Sequence, residues 1–479
     1  MSTQFVEPID TDYLIIGSGA VGMAFADTLF HETGANIVIV DRHHGPGGHW
    51  NDAYPFVRLH QPSAYYGVNS RALGGDSRDP SPLNRGMCER ATAAEIVSYY
   101  EAVMQPMLAS GRVRYFPMSE CSGDDETGWR ITPLLGGAAR AVRFRKKVVD
   151  TTYLNTAVPS THPPKYAVAP GLKCIALNDL PKVETPPSGY VVVGAGKTGI
   201  DACLWLLEMG VTPAAITWIM PRDSWFINRA NVQPGDEFFM QSIGGLARQM
   251  ACVAQAESAE ALLADLEAHD QLLRLDKHVT PGMYHAATVS HAELDALRSI
   301  RNVVRLGRVE HIEAERIVLL QGTVRVDAQR LYVDCSASAA ERRPALPIFQ
   351  GRKIVPQFVR AFQPTFSAAL LAHVESRFDD DDTKNKICGV VPLPDAPSSW
   401  LAMQAASMNN MYLWSKTPGL GAWIAASRLD GFSRLMDEVD ESDAQKMAAM
   451  ELLGANVVPA AMKLPKLLAL AAAARPKLA

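Results

Sequence analysis

Three glycines near the N-terminus have the spacing of a dinucleotide-binding turn. Gly17, Gly19 and Gly22 directly follow an apolar run at residues 13–16 that is typical of a buried parallel strand. A pyrophosphate binds at a helix N-terminus, where free N–H groups and the helix dipole favour negative charge. Side chains at the three glycines would obstruct the turn, the approach of the phosphates or the packing of helix on strand. Asp41 ends the next apolar run, where a carboxylate accepts ribose hydroxyls.

The same pattern recurs in the second quarter of the chain. An apolar run at residues 190–193 leads into Gly194, Gly196 and Gly199, and a helical pattern and a further apolar run at 216–220 follow. A lone glycine motif is common in unrelated proteins. Each motif here gains weight because it lies in a complete strand, turn, helix and strand unit. Two such units in one chain predict two dinucleotide sites.

The two units differ at the end of their second strands. The first ends in Asp41, whose charge would repel a 2′-phosphate, whereas the second ends at residues 220–221 and is followed by Arg222. A guanidinium can hold a 2′-phosphate with paired, charge-assisted hydrogen bonds. Together with Lys197 in the second glycine turn, this contrast predicts NADPH rather than NADH there. The alternative is a solvated Arg222 that Asp223 neutralises.

The composition is that of an ordinary globular protein. The chain has 479 residues, of which 48% are hydrophobic and 20% charged, and its formal net charge is −5. This length predicts two or three domains. The charge, without a basic stripe, argues against nucleic-acid binding. Residues 1–11 have neither the basic region nor the apolar core of a signal peptide, so we expect a cytoplasmic protein.

The seven cysteines do not form a recognisable centre, because no pair has redox-motif or zinc-ligand spacing. They predict buried free thiols, no metal site and no disulfide-reducing centre. No apolar run is long enough to predict an integral membrane segment. The Ala/Leu-rich stretch at residues 464–474, bracketed by Pro465 and Pro476, predicts a short packed helix, with weak peripheral membrane contact as the alternative.

The segment that begins at Asp41 resembles one flavoprotein family. Residues 41–50 read Asp-Arg-His-His-Gly-Pro-Gly-Gly-His-Trp, which is similar to the acidic-basic, Gly-Gly-x-Trp segment of the class B flavin monooxygenases. Ala53-Tyr54-Pro55 is similar to the Tyr-Pro that follows it there, and Asp201 lies just beyond the second glycine motif. The likeness spans roughly residues 10–340. That family includes flavin-containing, Baeyer–Villiger and N-hydroxylating enzymes, all within the flavoproteins that bind two dinucleotides.

The resemblance implies FAD at the first glycine turn and NADPH at the second. It also implies that Gly48 and Trp50 pass close to the flavin, with His60 and Gln61 further along the same loop. For Trp50, His49 and His60 a purely structural role stays open. The predicted FAD contacts are Gly17, Gly19, Ala20, Gly22, Asp41, Arg42, Gly48, His49, Trp50, His60, Gln61 and Asp334. The predicted NADPH contacts are Gly194, Gly196, Lys197, Thr198, Gly199 and Arg222.

Three hypotheses for the function differ in the fate of oxygen. The resemblance implies first an NADPH-dependent monooxygenase, in which the reduced flavin adds O2 and the hydroperoxide oxygenates a small organic substrate. Residues 169–181 lack the histidine and aromatics of the fingerprint that precedes the second motif in that family, so a reductase or oxidase is the second hypothesis. The third is a silent FAD-binding scaffold whose C-terminal helices, including residues 400–423, bind a partner. The sequence assigns no catalytic residue, substrate or oligomeric state.

These sites require an α/β protein with two Rossmann-like domains, a helical insertion at residues 236–300 and a helical C-terminal region. The strand pattern at residues 331–334 is expected to return to the first sheet, which would place Asp334 beside the flavin. The predicted segments are 1–155 for the FAD domain, 156–324 for the NADPH domain, 325–375 for the return of the FAD domain and 376–479 for the C-terminal helices.

Overall fold

A computed structural model describes residues 7–154, 156, 158–327, 329–337, 341 and 343–473. Within them the strands form two large sheets and two smaller ones. The strands are β1 (Ile9–Ile16), β2 (Ile37–Val40), β3 (Val113–Phe116), β4 (Ser119–Ser122), β5 (Trp129–Pro133), β6 (Arg140–Asp150), β7 (Ala167–Val168), β8 (Cys174–Ala176), β9 (Tyr190–Val193), β10 (Ile216–Ile219), β11 (Ser224–Asn228), β12 (Leu272–Leu273), β13 (Met283–Val289), β14 (Val303–Val304), β15 (Val309–Ile312), β16 (Arg316–Leu319), β17 (Gly322–Arg325), β18 (Leu331–Asp334), β19 (Phe349–Gln350) and β20 (Lys353–Ile354).

The helices cover the large sheets and build most of the C-terminal region. A 3-10 turn at Arg229–Val232 also contributes to the site described below. The α-helices are α1 (Ala20–Glu32), α2 (Ala93–Ala109), α3 (Lys197–Glu208), α4 (Phe239–Gln255), α5 (Ala259–Ala268), α6 (His291–Arg298), α7 (Pro364–Arg377), α8 (Asp381–Ile387), α9 (Ser399–Lys416), α10 (Leu420–Ala426), α11 (Ser433–Asp437) and α12 (Ala444–Ala473).

The first large sheet is built on four parallel strands in the order β6-β1-β2-β3. Strand β2 consists only of isoleucine and valine and is fully buried, as expected for a parallel strand covered on both faces. The last residues of three strands, Ile16, Val40 and Asp150, lie in register. The glycine turn after β1 therefore opens at the edge of the sheet where ligands bind in open α/β folds.

The second large sheet repeats this unit as β14-β10-β9-β18, with β8 added beside β18, and all its pairs are parallel. The predicted α/β class with two Rossmann-like units is confirmed. The expected return of residues 331–334 to the first sheet is wrong, because Asp334 lies in register with Val193 of the second sheet. An apolar strand buried on both faces carries no local sign of the sheet it joins.

The chain re-enters the first sheet later, at β20. Lys353 and Ile354 pair with Val148 and Val149 of β6. Helix α7 then packs against α1, the helix that follows the first glycine turn. The return segment predicted to start at residue 325 therefore reaches the first sheet near residue 349, and β18 belongs to the second domain.

The insertion is only partly helical. Helices α4, α5 and α6 agree with the prediction for residues 236–300, but β12 and β13 join β11 in a three-stranded sheet. The residues of β13 include Tyr284, Thr288 and Val289, which favour strands. The helical prediction used the Ala, Leu and Glu content of the whole segment, which does not show this short strand.

The C-terminal helix is longer than predicted. Instead of a short helix at residues 464–474, α12 runs for 30 residues and passes through Pro459 and Pro465. It packs along α4 and also touches α5 and α9. Among the described helices it alone is long and apolar enough to cross a membrane by length and composition. Its packing on α4 makes it part of the folded protein.

The loop at residues 53–92 leaves the first domain and ties it to the second. Near its start, the Tyr54 hydroxyl donates a hydrogen bond of 2.6 Å to Asp201 at the second glycine turn. Near its end, the Asn84 amide donates a bond of 2.7 Å to Glu293 of helix α6. These contacts fix the relative position of the two glycine turns.

Glu293 is the centre of a buried ionic cluster at this junction. Its carboxylate is 4% exposed and accepts hydrogen bonds of 2.7 Å from both Arg229 and Asn84, with Arg90 at 3.6 Å. Burial alone would raise the pKa of Glu293, but Arg229 and Arg90 outweigh it and lower that pKa. The carboxylate is therefore ionised in the folded protein.

Replacing Glu293 by alanine should lower the free energy of unfolding by about 3–5 kcal/mol, because the buried guanidinium of Arg229 loses its counter-charge and that of Arg90 keeps only the 3.5 Å pair with Asp79. The matched control is Asp295→Ala in the same helix. Its carboxylate is 73% exposed and pairs only at the surface with Arg298, so we expect a loss below about 1 kcal/mol. Urea denaturation followed by circular dichroism measures both. Equal losses in the two variants would contradict the buried ionic role of Glu293.

Candidate functional site

The first glycine turn leaves no space for a side chain. Gly17 has a φ of 99°, a conformation that glycine adopts without strain. A Cβ on Gly22 would overlap the carbonyl oxygen of Gly17, so helix α1 packs on the turn at backbone distance. Ala20 opens α1, whose N-terminus carries no side-chain cap. Its first N–H groups therefore fit a pyrophosphate.

Asp41 lies at the end of β2 and is held by four donors. One carboxylate oxygen accepts hydrogen bonds from the backbone N–H and the hydroxyl of Ser18, at 2.5 and 2.8 Å. The other accepts from the backbone N–H and Nδ1 of His43, at 2.8 and 2.9 Å. Burial opposes ionisation, but these bonds outweigh it and lower the pKa of Asp41. The predicted ribose acceptor is thus an oriented carboxylate.

His43 bridges two carboxylates, a feature that the sequence did not reveal. Its Nδ1 faces Asp41 and its Nε2 lies 2.7 Å from Asp52. The hydrogen bond to Asp41 overcomes partial burial and, with Asp52, raises the pKa of His43 to about 9. A protonated imidazole at neutral pH therefore orients Asp41.

The second glycine turn has the same construction. Gly194 has a φ of 134°, and a Cβ on Gly199 would overlap the Gly194 carbonyl oxygen. That oxygen also accepts a hydrogen bond of 2.7 Å from the indole N–H of Trp218 on β10. Helix α3 begins at Lys197 with no side-chain cap at Gly196, so its N–H groups also fit a pyrophosphate.

Lys197 is paired within the protein. Its ammonium group donates to Asp201 one turn further along α3, and the Tyr54 hydroxyl donates to the same carboxylate. Burial lowers the pKa of Lys197, and the charge of Asp201 opposes that effect. Thr198 is half-buried beside it. The cation predicted near the phosphates thus lies at the second turn with its charge already balanced.

Arg222 lies at the predicted position after β10, but its guanidinium is engaged. It donates two hydrogen bonds, of 3.2 and 2.9 Å, to Asp395 of the C-terminal region, and His285 lies 2.8 Å from the same carboxylate. The neighbouring Asp223 binds Arg305 and not Arg222. Arg222 keeps a 40% exposed side chain. The sequence could not show its carboxylate partner, which lies 173 residues away.

Comparison with known proteins gives a family. A model of the NAD(P)-binding Rossmann-like domain matches residues 15–68. The uncharacterized protein Rv2000 of Mycobacterium tuberculosis and the uncharacterized protein Mb2023 of Mycobacterium bovis are each 46% identical over 461 residues, which is 96% of this chain and 85% of each relative. The chain belongs to the family of these mycobacterial proteins.

Solved structures agree with the fold. An epsilon-caprolactone-bound cyclohexanone monooxygenase is 15% identical, covers 77% of this chain and 87% of its own, and has a TM-score of 0.50. A flavin-containing monooxygenase from Stenotrophomonas maltophilia is 13% identical over 77% of this chain and 98% of its own, with a TM-score of 0.45. The resemblance to class B flavin monooxygenases is confirmed at the level of the fold.

The predicted flavin loop lies against the first turn. A Cβ on Gly19 would touch the Cα of Gly48. The rings of His49 and Trp50 lie 4.9 Å apart, and the Trp50 indole donates to the Tyr66 hydroxyl at 2.7 Å. Burial lowers the pKa of His49 to about 4, so this imidazole is neutral at pH 7. Contact of Gly48, His49 and Trp50 with the flavin stays a prediction.

Two predicted FAD contacts have partners within the protein. Arg42 has a 67% exposed side chain and binds Glu120 at 3.0 Å. Asp334 ends β18 in the second sheet, where it accepts hydrogen bonds of 3.1 Å from Tyr166 and 2.6 Å from Ser336. Its expected place beside the flavin strand is wrong, because that expectation depended on the return of β18 to the first sheet.

His60 lies at the junction of the two domains. Its carbonyl oxygen accepts from the buried Arg229, and its Nδ1 accepts from the Thr288 N–H at 3.3 Å. Burial, reinforced by the charges of Lys197, Arg229 and Arg90, lowers the pKa of His60 well below its usual value. The imidazole is therefore neutral. Gln61 follows it and is half-buried.

A cavity of about 110 Å³ lies between the three-stranded sheet and helices α4, α5 and α9. Val232 of the Arg229 turn, Tyr284 of β13 and Trp400 and Gln404 of α9 line it, together with Phe362. Phe362 has a left-handed φ of 56°. Ala286, two residues after Tyr284, has a left-handed φ of 57°. Such strained non-glycine residues recur at functional sites. The cavity is therefore a candidate for a small ligand.

Replacing Gly22 by alanine should reduce flavin retention to less than about a tenth of the wild-type level, because the added methyl group pushes α1 away from the turn. The measurement is the ratio of flavin to protein absorbance after purification. Gly34→Ala is the control, since nothing lies within 4 Å of a Cβ placed there. Full flavin content in Gly22→Ala would contradict the assignment of this turn.

The stabilisation of the folded protein by His43 should depend on pH. A raised folded-state pKa means that charged His43 contributes its full stabilisation below the unfolded value, and that this contribution disappears as pH rises through about 9. The thermal midpoint of wild type should therefore exceed that of His43→Gln most at pH 6, and the difference should shrink from about pH 6.5 to pH 9 and be lost above pH 9. His44→Gln, at an exposed neighbour, should show no such trend. Parallel curves for wild type and His43→Gln would refute the bridge.

Proposed function

We propose that the protein is an NADPH-dependent flavin monooxygenase that binds FAD at the first glycine turn and NADPH at the second. The repetition of one turn, Gly17 to Gly22 and Gly194 to Gly199, at equivalent edges of the parallel parts of two sheets carries this proposal. The fold shared with class B monooxygenases supports it. Its partners would be O2 and a small organic molecule, and its location the cytoplasm.

The residues of the chain would bind and orient the two cofactors. When bound, FAD supplies the redox chemistry by taking a hydride from NADPH and then reacting with O2. Asp41, fixed by Ser18 and His43, would accept the ribose hydroxyls of FAD. The N-termini of α1 and α3 would hold the two pyrophosphates. Neutral His60 would lie near the flavin as a hydrogen-bonding group that carries no charge.

Two other functions use the same sites. A reductase or oxidase would transfer electrons without oxygenating a substrate, and a silent scaffold would bind FAD without turnover. A disulfide reductase lacks support, because no two of the seven cysteines have the spacing of a redox motif. Cys335, beside the second glycine turn, is buried, and burial raises the pKa of its thiol well above the usual value.

An anaerobic mixing experiment separates these functions. Purified protein with bound FAD receives NADPH without oxygen and then receives O2 labelled with 18O together with a panel of small ketones, amines and sulfides. Flavin bleaching followed by labelled product supports the monooxygenase. Bleaching that yields only hydrogen peroxide for every compound favours the oxidase. Absence of bleaching would leave the scaffold.

Arg222 should determine coenzyme choice. Arg222→Ala should weaken NADPH binding about tenfold and leave NADH binding nearly unchanged, because a charge-assisted contact to the 2′-phosphate is lost. Asp395 also binds this guanidinium. We therefore expect the contact with the 2′-phosphate to contribute no more than about tenfold to the affinity for NADPH. Arg301→Ala is the control, an exposed arginine that precedes β14. Equal effects on both coenzymes, or a wild-type preference for NADH, would contradict this role.

The cavity beside the Arg229 turn is the proposed substrate pocket. Gln404 is half-buried on its α9 wall. Gln404→Phe should fill much of the space and reduce the yield of oxygenated product about tenfold or more, while NADPH bleaches the flavin at the wild-type rate. Asn409→Phe, exposed on the same helix, serves as the control. Unchanged product formation in Gln404→Phe would place the substrate elsewhere.

A further inference from the structure

Helix α12 has two apolar faces, and the protein covers one of them. At 100° per residue, Leu453, Ala460, Leu464 and Leu467 share one side and are buried against the rest of the molecule. Only 17% of the most apolar 18-residue window of this helix is buried. Most of the helix surface therefore faces outward.

The outward face is apolar as well. Val458 and Met462 are 64% and 66% exposed, and Leu452 and Leu470 are 39% and 54% exposed. Val458 and Met462 lie opposite the buried side, and Leu452 and Leu470 lie beside it, at about 100° from Leu453. Together the four extend over 18 residue steps, or about 27 Å. A surface helix of a soluble protein normally turns charged and polar residues to this side. This pattern requires an apolar partner.

The charges near this face favour an anionic partner. Between residues 452 and 473 the charged residues are Lys463 and Lys466, and the exposed Glu451 directly precedes this stretch. Lys466 lies exposed on the apolar face itself. A second copy of the chain, docked through the same face, would offer Lys466 no carboxylate from residues 452–473. An anionic lipid surface satisfies both the apolar residues and the lysines.

We propose that the face of α12 from Leu452 to Leu470 docks on an anionic phospholipid bilayer, with the helix lying in the plane of the interface. The side chains of Val458, Met462 and Leu470 would enter the acyl boundary, and Lys466 would meet lipid phosphates. A spanning orientation would require Leu464, which is fully buried, to leave the protein core. The docking is therefore peripheral, and it does not depend on the redox function.

Vesicle co-sedimentation of the full-length protein with bound FAD tests this docking. The probes are vesicles of pure phosphatidylcholine and vesicles with one third phosphatidylglycerol. We expect binding to the anionic vesicles, roughly tenfold weaker binding for the double variant Val458→Ser/Met462→Ser, and about fivefold weaker binding for Lys466→Glu. Leu135→Ser is the control, since Leu135 is an 84% exposed leucine on a different surface.

The same experiment can overturn the docking. Equal vesicle binding by all variants, or no binding by the wild type, would refute it. Sedimentation velocity without vesicles tests whether a second copy of the chain binds this face instead. A dimer that dissociates in the variant that carries Met462→Ser would show that the face is a self-interface. The substituted residues are exposed, and thermal midpoints and flavin content equal to wild type confirm that the variants are folded.

Discussion

The contact between a helical glycine and the carbonyl oxygen of the first turn glycine sets the geometry of both dinucleotide sites. At Gly22 and at Gly199 a single methyl group would push the helix off its strand. The close packing in turn directs the first N–H groups of the helix toward the edge where the parallel strands end. Because this constraint is local, the same turn forms in two different sheets. The glycine spacing therefore predicts each turn.

The two turns are coupled through one loop. The loop leaves the first site at Trp50, and within a few residues Tyr54 reaches Asp201, which holds Lys197 at the second turn. Its later part meets Glu293 through Asn84. The loop therefore links both sites by buried polar bonds, which are costly to leave unpaired. Displacement of one domain relative to the other would break several of these bonds at once.

The parts that could be predicted from sequence are those that depend on local pattern. The two strand–turn–helix units and Asp41 at a strand end follow from neighbouring residues. Membership of β18 in the second sheet does not, because a strand buried on both faces looks alike in either sheet. The pairing of Arg222 with Asp395 and the bridge by His43 also depend on folding, since they join residues or loops that no spacing rule connects.

Charge balance at the domain junction explains how several cations can be buried beside a neutral histidine. Lys197, Arg229 and Arg90 all disfavour protonation of His60. Their own burial would be costly without Asp201 and Glu293, which accept their hydrogen bonds or lie close to them. The carboxylates belong to the second domain, whereas Arg90 and His60 belong to the loop of the first. Lys197 and Arg229 therefore have their counter-charges within the second domain, and Arg90 lies 3.5 Å from Asp79 of its own loop. The 3.6 Å contact between Arg90 and Glu293 is an ionic contact that forms only when the two domains are joined.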